Sequence, residues 1–343
     1  MNDTIKWGIV GLGNVAYQFA KSFYNIKNAK LIAIASKTRN NLVKFKNEFN
    51  IETKHCYGEY EKLLDNNEVD IIYLALPNNL HNEWIYKSLD LNKHILVEKP
   101  AFTNFNDAKR VFDHPNINKF FLGEGFMYRY HPQIIKVIEL IKSNQIGKIK
   151  SIESVFGKNL ITKKKFFGLL QSKKIDIKKR IFNKSLGGGT ILDHGSYTVS
   201  MSLLIASLVD GINIENFELS GDKKINIMDG VDIESSVELI FDNKLKCNLK
   251  VSFLNDIGSH TIVYGDNGKI LIKNSWNSDK GQVYLYNDKT SSFDLKNKKN
   301  IYTLEIERIS EDILNRKIEA SYPGTSRNEI LVSSKILDRW LNE

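Results

Sequence analysis

The chain has 343 residues, of which 42% are hydrophobic, so it can bury a sizeable core. This length predicts about two domains. Its formal net charge is +9, but the excess is scattered lysine without a nucleic-acid-binding motif, which favours an anionic small molecule over nucleic acid as partner. The two cysteines lie far apart in the sequence, so we expect no metal site. The sequence shows no signal-peptide pattern and no apolar run of bilayer length, so we expect a soluble, cytoplasmic protein without a membrane partner.

The first predicted element is a buried strand, IKWGIV at residues 5–10, followed by the turn GLGNVA at residues 11–16. This turn fills a G-x-G-x-x-A pattern, in which the first glycine permits a tight turn, the second admits a pyrophosphate and the alanine lets helix pack on strand. The first N–H groups of the next helix would then face the phosphates. A plain structural bend is the alternative. The cofactor-binding residues predicted here are Gly11, Gly13, Asn14, Val15 and Ala16.

The second predicted strand, KLIAIAS at residues 30–36, ends without the acidic residue that usually holds the ribose hydroxyls of NAD. Ser36, Lys37 and Arg39 instead offer a hydroxyl and two cations that suit a 2′-phosphate. We therefore favour NADP(H) and keep NAD(H) as the alternative. The competing interpretation is that the two cations are ordinary solvated charges.

Helices and strands continue to alternate, which indicates a doubly wound parallel sheet. The helices are predicted at 40–49, 59–66 and 79–91, and the strands at 69–77 and 94–100. Ligands bind such sheets at the carboxyl ends of the strands, where two further turns lie. These turns contribute the predicted cofactor-binding residues Leu76, Pro77, Asn78, His81, Glu98 and Lys99.

Lys99 follows directly on an apolar strand end, where an amine is partly withdrawn from water and suits proton transfer. We take it as a candidate catalytic residue. The alternative is a lysine that extends along the strand edge to keep its ammonium in water.

Five motifs in this order resemble the glucose–fructose oxidoreductase/inositol dehydrogenase/MocA (Gfo/Idh/MocA) family, and its dihydrodiol dehydrogenase and glucose–fructose oxidoreductase subgroup in particular. They are GLGNVA at 11–16, PNNLH at 77–81, EKP at 98–100, GEGFMYRYHPQ at 123–133 and RIFNKSLGGGTILDHGSY at 180–197. The resemblance implies a Rossmann domain, placed at residues 1–123. It also implies an α+β domain at 124–343 with a large, mostly antiparallel, open-faced sheet. We expect a homodimer or homotetramer built through that sheet, and the last helix could pack back on the first domain.

The residues themselves agree with a second domain of this kind. After residue 123 the alternation stops, and strands follow one another through short turns. They are predicted at 231–241, 247–254, 260–265 and 269–274, with closing helices near 301–317 and 326–341.

The segment GGGTILDHGSY, residues 187–197, combines three glycines, which have no side chains, with the carboxylate of Asp193 and the phenol of Tyr197. If a helix begins near Thr190, Asp193 and Tyr197 lie one turn apart on the same face, and His194 is turned about 100° away. We expect the three glycines to leave room for a flat ring and a sugar. We therefore assign His194 no catalytic role.

The resemblance implies that Tyr197 and Lys99 together move a substrate hydroxyl proton while a hydride passes to or from the nicotinamide. A free tyrosine keeps its proton at neutral pH, and a nearby ammonium would favour the phenolate. Asp193 would orient the substrate hydroxyl or the lysine. Arg129 and Arg180 fit family positions near cofactor or substrate. Tyr197 could instead be a satisfied buried tyrosine, and either arginine a structural ion pair.

The whole pattern predicts an NAD(P)-dependent oxidoreductase that acts on a secondary hydroxyl or ketone of a sugar, a sugar nucleotide or a related polyol. A non-catalytic NADP(H)-binding regulator and an S-adenosylmethionine-dependent methyltransferase are the alternatives. The lysine-rich segment 159–180 is a solvated face or a lid over a phosphorylated or nucleotide-linked substrate. The resemblance also implies a cis bond between Lys99 and Pro100.

Overall fold

The computed structural model describes residues 4–164, 170–172, 176–225, 230–276, 280–297 and 299–343. These residues form two compact units. The first unit comprises the described residues of 1–130 and 298–331, and the second those of 131–297 and 332–343. The domain boundary placed at 123/124 from the sequence stays a prediction.

Six strands of the first unit form one sheet within the described residues, and every neighbouring pair is parallel. They are β1 (Ile5–Val10), β2 (Ala29–Ala35), β3 (Cys56–Tyr57), β4 (Ile71–Leu74), β5 (His94–Glu98) and β6 (Leu122–Gly125). Their order is β3-β2-β1-β4-β5-β6. The chain places β2 and β3 on one side of β1 and then places β4, β5 and β6 on the other side, so the switch in direction lies between β1 and β4. This confirms the doubly wound sheet, and such a reversal leaves a crevice for a ligand at the carboxyl ends of the strands.

Helices cover both faces of this sheet, and the central strands are apolar on both sides for that reason. Along β1, Ile9 belongs to one buried cluster and Val10 to the other, and along β4 Tyr73 and Leu74 divide in the same way. The helices described in the whole chain are α1 (Asn14–Lys21), α2 (Arg39–Glu48), α3 (Tyr60–Leu64), α4 (His81–Asp90), α5 (Phe105–Phe112), α6 (Pro132–Lys142), α7 (Ser196–Ala206), α8 (Ile301–Leu314) and α9 (Arg327–Asn342).

The second unit is built on an eight-stranded sheet within the described residues. Its strands are β7 (Ile149–Gly157), β10 (Phe217–Ile225), β11 (Asp232–Phe241), β12 (Leu245–Ser252), β13 (Gly258–Gly265), β14 (Gly268–Lys273), β15 (Lys280–Tyr286) and β16 (Thr290–Lys296), while β8 (Thr162–Lys164) and β9 (Leu170–Ser172) form a separate antiparallel pair. The order is β10-β11-β12-β7-β13-β14-β15-β16, with β12 and β7 parallel and every other neighbouring pair antiparallel. The mostly antiparallel sheet is therefore confirmed, although its central strand, β7, was not predicted.

The segment 159–180, for which a lid or a solvated face was predicted, lies partly outside the described residues. Across the described ranges, none of the helices is both long and apolar enough to span a membrane. The same residues contain no group of three histidine, cysteine, aspartate or glutamate side chains arranged to hold a metal ion.

Candidate active site

The turn after β1 differs in its two glycines. Gly11 has φ +90°, and a Cβ atom there would lie 2.5 Å from the carbonyl oxygen of Ala75, so both the conformation and the space demand glycine. Gly13 has an extended backbone, and a Cβ atom on it would meet no protein atom within 4 Å. Gly13 is also the N-cap of α1 and supplies no side-chain cap, so the first N–H groups of this helix lack that partner. The open space and the helix start together fit the pyrophosphate of a dinucleotide.

The end of β2 presents two exposed cations. The buried Ser36 shapes this turn, because its hydroxyl accepts the N–H of Thr38 at 3.1 Å. Lys37 and Arg39 are both exposed, with the Lys37 ammonium 5.3 Å from the ring centroid of Tyr60. A 2′-phosphate on a ribose at this strand end would find cations and no carboxylate among residues 36–39.

The turn after β4 is tied to the turn that carries Lys99. His81 is fully buried, and its two ring nitrogens lie 2.9 Å from the carbonyl oxygen of Pro100 and 3.0 Å from that of Leu76. The bond between Lys99 and Pro100 is cis, as expected. His81 is thus placed to hold two strand-end turns together, beneath the surface that a cofactor would contact. Pro77 is partly exposed and Asn78 is buried.

Two carboxylates hold the main chain on either side of the partly buried Lys99. Glu98 accepts the N–H of Lys99 at 3.2 Å, and it also accepts a hydrogen bond from the hydroxyl of Tyr73. Glu124, at the end of the neighbouring strand β6, accepts the N–H of Ala101 at 2.8 Å. Sequence reasoning missed Tyr73 and Glu124, because strand pairing brings them to this turn.

These acids lie in a poorly solvated region. Burial raises the pKa of Glu124 to about 7, against the opposing effects of the Ala101 N–H and of the Arg129 charge. Burial and the nearby Glu98 raise the pKa of Glu305, on α8, well above its usual range. Of the two carboxylates that hold the main chain beside Lys99, Glu124 therefore keeps its proton up to about neutral pH.

Arg129 is enclosed by protein groups. Its side chain is fully buried, and its guanidinium lies 3.0 Å from the carboxylate of Glu329 and 3.2 Å from the carbonyl oxygen of Pro323. This geometry matches the structural ion pair that was the alternative to a cofactor contact.

In the second unit, the helix that carries Asp193 starts where predicted but with a different geometry. Thr190 is helical, and the stretch Ile191–Gly195 is a π-helix that leads into α7. A π-turn holds more residues than an α-turn, so positions expected to point apart come together. His194 stacks on Phe156 at 3.8 Å, and Tyr197 packs edge-on against the same ring at 5.6 Å. The expectation that His194 turns away from the Tyr197 side is therefore wrong.

Tyr197 is packed among aromatic side chains, and 7% of its surface is exposed. The ring of Trp276 lies 5.7 Å from it, next to Phe156. Gly195, the middle residue of the D-x-G-x-Y motif, faces Trp340, whose ring would lie 3.0 Å from a Cβ atom there. The packing of α9 within this unit therefore accounts for the glycine.

Asp193 forms an ion pair with Arg180. One guanidinium nitrogen of Arg180, Nη2, donates to the Asp193 carboxylate at 2.7 Å, and its other terminal nitrogen, Nη1, has no hydrogen-bond partner among the described residues. The pair fixes the position of the Asp193 carboxylate.

Two glycines of the triplet, Gly188 and Gly189, are packed against the protein itself. A Cβ atom on Gly188 would overlap the carbonyl oxygen of Arg180 and would lie 2.8 Å from that of Asn183. Gly189 has φ +105°, and a Cβ atom there would overlap the carboxylate of Asp232. At Gly188 and Gly189, the expectation of room for a ring and a sugar is wrong on the side where a side chain would project, because the chain's own oxygens fill that space.

Asp232 is a residue of this region that sequence reasoning missed. It is buried at the start of β11, and its carboxylate accepts the N–H of Ile191 at 2.6 Å. Burial raises the pKa of Asp232 to about 6, despite the main-chain N–H groups that favour its anion. The signal available in the sequence was an aspartate at the second position of the strand predicted at 231–241.

Comparison with known proteins agrees with both sheets. Residues 5–124 match the model of the Gfo/Idh/MocA oxidoreductase family with its NAD-binding Rossmann fold, and residues 134–271 match the Gfo/Idh/MocA C-terminal domain. A D-xylose 1-dehydrogenase (NADP(+)) of Haloferax volcanii is 27% identical over 80% of this chain and 78% of its own length. A dTDP-3,4-didehydro-2,6-dideoxy-alpha-D-glucose 3-reductase of Saccharopolyspora spinosa is 26% identical over 79% of this chain and 75% of its own.

A similar fold occurs in a 3-ketoreductase from Actinomadura kijaniata, whose crystal structure was solved in complex with NADP and TDP-benzene. The TM-score is 0.81 at 22% identity, and the match covers 99% of this chain and 97% of the other. Together, the two family matches span most of the chain and follow the two sheets described above. The chain belongs to the Gfo/Idh/MocA family of oxidoreductases.

Proposed function

We propose that this protein is an NADP(H)-dependent oxidoreductase that interconverts a secondary hydroxyl and a ketone on a sugar, a sugar nucleotide or a related cyclic polyol. The observation that carries the proposal is the open space in front of Gly13 at the end of β1, with the exposed Lys37 and Arg39 near the end of β2. A dinucleotide needs such a space for its pyrophosphate, and NADP needs cations for its additional phosphate.

The substrate class is supported by what the relatives are named for. One acts on D-xylose with NADP(+), and another reduces a deoxysugar linked to dTDP. A third, from Xenopus tropicalis, is a trans-1,2-dihydrobenzene-1,2-diol dehydrogenase, which is 26% identical over 84% of this chain and 81% of its own length. Each name describes a carbinol or ketone on a compact ring or on an aldose.

We assign the proton to Lys99 and Tyr197. The nicotinamide, when bound, supplies or accepts the hydride. During oxidation the substrate hydroxyl gives its proton to the phenolate of Tyr197, and the ammonium of Lys99 stabilises that phenolate before the transfer. During reduction the same phenol returns the proton to the forming alkoxide. Asp193, held by Arg180 at 2.7 Å, orients the substrate by accepting a hydrogen bond from a hydroxyl.

The cofactor and the substrate class can be tested on native protein. Mass spectrometry of ligands that co-purify with it is expected to find NADP or NADPH. Purified protein should then change the near-ultraviolet absorbance of NADPH with D-xylose, a dTDP-linked keto-deoxysugar or trans-1,2-dihydrobenzene-1,2-diol. Bound S-adenosylmethionine would contradict the proposal, and so would NADP(H) binding without turnover of any carbinol or ketone, which a regulator would show.

The residue roles can be tested with two variants. Lys99→Met and Tyr197→Phe should each lower kcat by about 100-fold to 10,000-fold, because each removes a group that moves or stabilises the proton, while NADPH still binds. Matched controls are Lys62→Met, at an exposed lysine of α3, and Tyr264→Phe, at a tyrosine of β13. Both controls should keep the turnover of the wild type. Full activity in either catalytic variant would contradict the assignment.

We also propose a cytoplasmic location and a homodimer or homotetramer built through the eight-stranded sheet. The support for the oligomer is the family resemblance and the partly exposed aromatic side chains of β15, where the rings of Tyr284 and Tyr286 stack 6.4 Å apart. Light scattering coupled to gel filtration should give a mass of two or four chains. A monomer at working concentration would contradict it.

A further inference from the structure

The helix that carries Asp193 and Tyr197 begins on a turn fastened from two sides. On one side, the N–H of Gly188 donates to the carbonyl oxygen of Asn183 at 2.9 Å, and the N–H of Gly189 donates to that of Ile181 at 3.0 Å. On the other side lies Asp232. These contacts leave the glycine turn little freedom.

The Asp232 carboxylate makes the second attachment. Its Oδ2 accepts the N–H of Ile191 at 2.6 Å, and its Oδ1 occupies the place where a side chain on residue 189 would project. The N–H of Asp193 in turn donates to the carbonyl oxygen of Gly189 at 3.1 Å. A continuous path of contacts therefore runs from Asp232 through Gly189 to the main chain of Asp193.

We propose that Asp232 is a positioning residue for the reaction: it fixes the glycine turn and the π-helical start, and through them the carboxylate of Asp193 and the phenol of Tyr197. This inference rests on the function proposed above. Asp232 is buried under the turn and acts through Ile191 and Gly189, without touching the substrate.

A carboxylate supplies two acceptor oxygens at this place, whereas an amide supplies one. An anion at the start of a helix interacts favourably with the exposed N–H groups and with the helix dipole, and it can accept from more than one N–H. The main-chain N–H groups of Thr190, Ile191 and Asp232 itself face it, and Lys223 is the charged side chain whose field reaches it. An asparagine keeps one acceptor, so it preserves the shape and removes the charge.

The chain contains a matched control. Asp266 accepts the N–H of Lys148 at 2.6 Å, and its carboxylate fills the space beside another glycine, Gly147. Like Asp232, this carboxylate ties a main-chain N–H to a glycine turn of the same unit, but Asp266 is exposed and fastens the turn before β7. Among the described residues it bonds to Lys148 and pairs with Lys150.

Hydrogen exchange followed by mass spectrometry tests the positioning without substrate. In Asp232→Ala and in Asp232→Asn, the peptide covering 189–197 should exchange at least about tenfold faster than in the wild type, and the peptide covering 147–153 should not change. Asp266→Ala should do the reverse. Unchanged protection of 189–197 in folded Asp232→Ala would overturn the proposal.

Kinetics test the link to chemistry, with the substrate that the wild type turns over in the panel above. Asp232→Asn should lower kcat about tenfold and keep the KM for NADP(H) within about twofold of the wild-type value. Asp266→Asn should leave kcat and KM unchanged. Because Asp232 acts partly through Tyr197 and partly through Asp193, adding Asp232→Asn to Tyr197→Phe should cost clearly less than the tenfold that it costs in the wild type.

The two proposals fail in different ways. If Tyr197→Phe keeps full activity, the proposed function is wrong whatever Asp232 does. If Tyr197→Phe loses activity and Asp232→Asn keeps the kcat of the wild type, only the positioning role is overturned. A tenfold loss that is repeated in full on top of Tyr197→Phe would overturn the positioning of Tyr197 by Asp232, since the two residues would then act independently.

Discussion

Two glycine-rich turns of this chain look alike in the sequence and differ in what occupies the space beside them. At GLGNVA, a Cβ atom on Gly13 would meet no protein atom within 4 Å. At the glycine triplet, the space beside Gly188 and Gly189 holds carbonyl oxygens and the Asp232 carboxylate. The first turn is open and the second is filled by the protein.

The difference teaches that glycine has two separate uses in one protein. Where no protein atom needs the space, glycine leaves a surface that a ligand can approach, and its replacement should affect binding. Where the protein fills the space, glycine permits internal packing, and its replacement should affect folding. The experiments at Gly189 and at Gly13 test the two sides of this distinction directly.

The largest effect is expected at Gly189. Gly189→Ala combines an unfavourable positive φ with overlap on a buried carboxylate, so it should lower the free energy of unfolding by about 3 kcal/mol or more. Gly211→Ala is the matched control, because Gly211 also has positive φ but no atom within 4 Å. It should cost only about 1–2 kcal/mol. Equal denaturation midpoints for the two variants would show that the second turn is not filled.

The next effect concerns Glu124, a buried carboxylate of the first unit. The pKa of Glu124 is raised from 4.5 to about 7, so the folded protein keeps a proton that the unfolded chain releases across that range. The resulting stability is complete below about pH 4.5 and is lost as the pH rises to about 7, with a magnitude of about 3 kcal/mol. Glu124→Gln cannot titrate.

Urea unfolding of both proteins between pH 4.5 and pH 7 measures this contribution. The free energy of unfolding of the wild type should fall relative to that of Glu124→Gln as the pH rises. Parallel pH profiles would mean that Glu124 does not hold a proton in the folded state.

A smaller effect on a different quantity is expected at Gly13. Its extended backbone suits alanine, so Gly13→Ala should change the free energy of unfolding by less than about 1 kcal/mol. The new methyl group would stand where we place the pyrophosphate, so the dissociation constant for NADPH, measured by calorimetry, should rise at least about tenfold. An unchanged affinity of Gly13→Ala for NADPH would mean that the cofactor does not bind at this turn.

The smallest effect is expected at the end of β2. Replacing Lys37 and Arg39 together by alanine should lower the preference for NADP over NAD by about tenfold, because the 2′-phosphate loses two cations. Lys54→Ala, at another exposed lysine of the first unit, should leave the preference unchanged. The ratio of kcat/KM for the two cofactors measures it, and an unchanged ratio in the double variant would make these residues ordinary surface charges.

The sequence predicted what depends on local pattern. Apolar runs, turn residues and the G-x-G-x-x-A motif located the parallel sheet, and the strand-rich second half indicated the antiparallel one. The central position of β7 was not predictable, because it depends on which distant strands pair with it.

The errors at the second turn have one physical origin. Helical spacing alone placed His194 away from Tyr197, but a π-helix inserted at Ile191–Gly195 brings both rings onto Phe156. Likewise, nothing local to the glycine triplet reveals that Asp232 will fill its space, since the two segments are more than 40 residues apart. Such contacts are set by tertiary packing.

The central claim is that a hydride passes directly between a carbinol carbon and the nicotinamide of a cofactor whose pyrophosphate the first turn would hold. The most direct test follows a deuterium label. The panel substrate that is turned over, deuterated at its carbinol carbon, is oxidised with NADP+, and the reduced cofactor is analysed by mass spectrometry and NMR. We predict one deuterium at C4 of the nicotinamide in every molecule formed. Unlabelled NADPH, with the deuterium in solvent, would contradict the account.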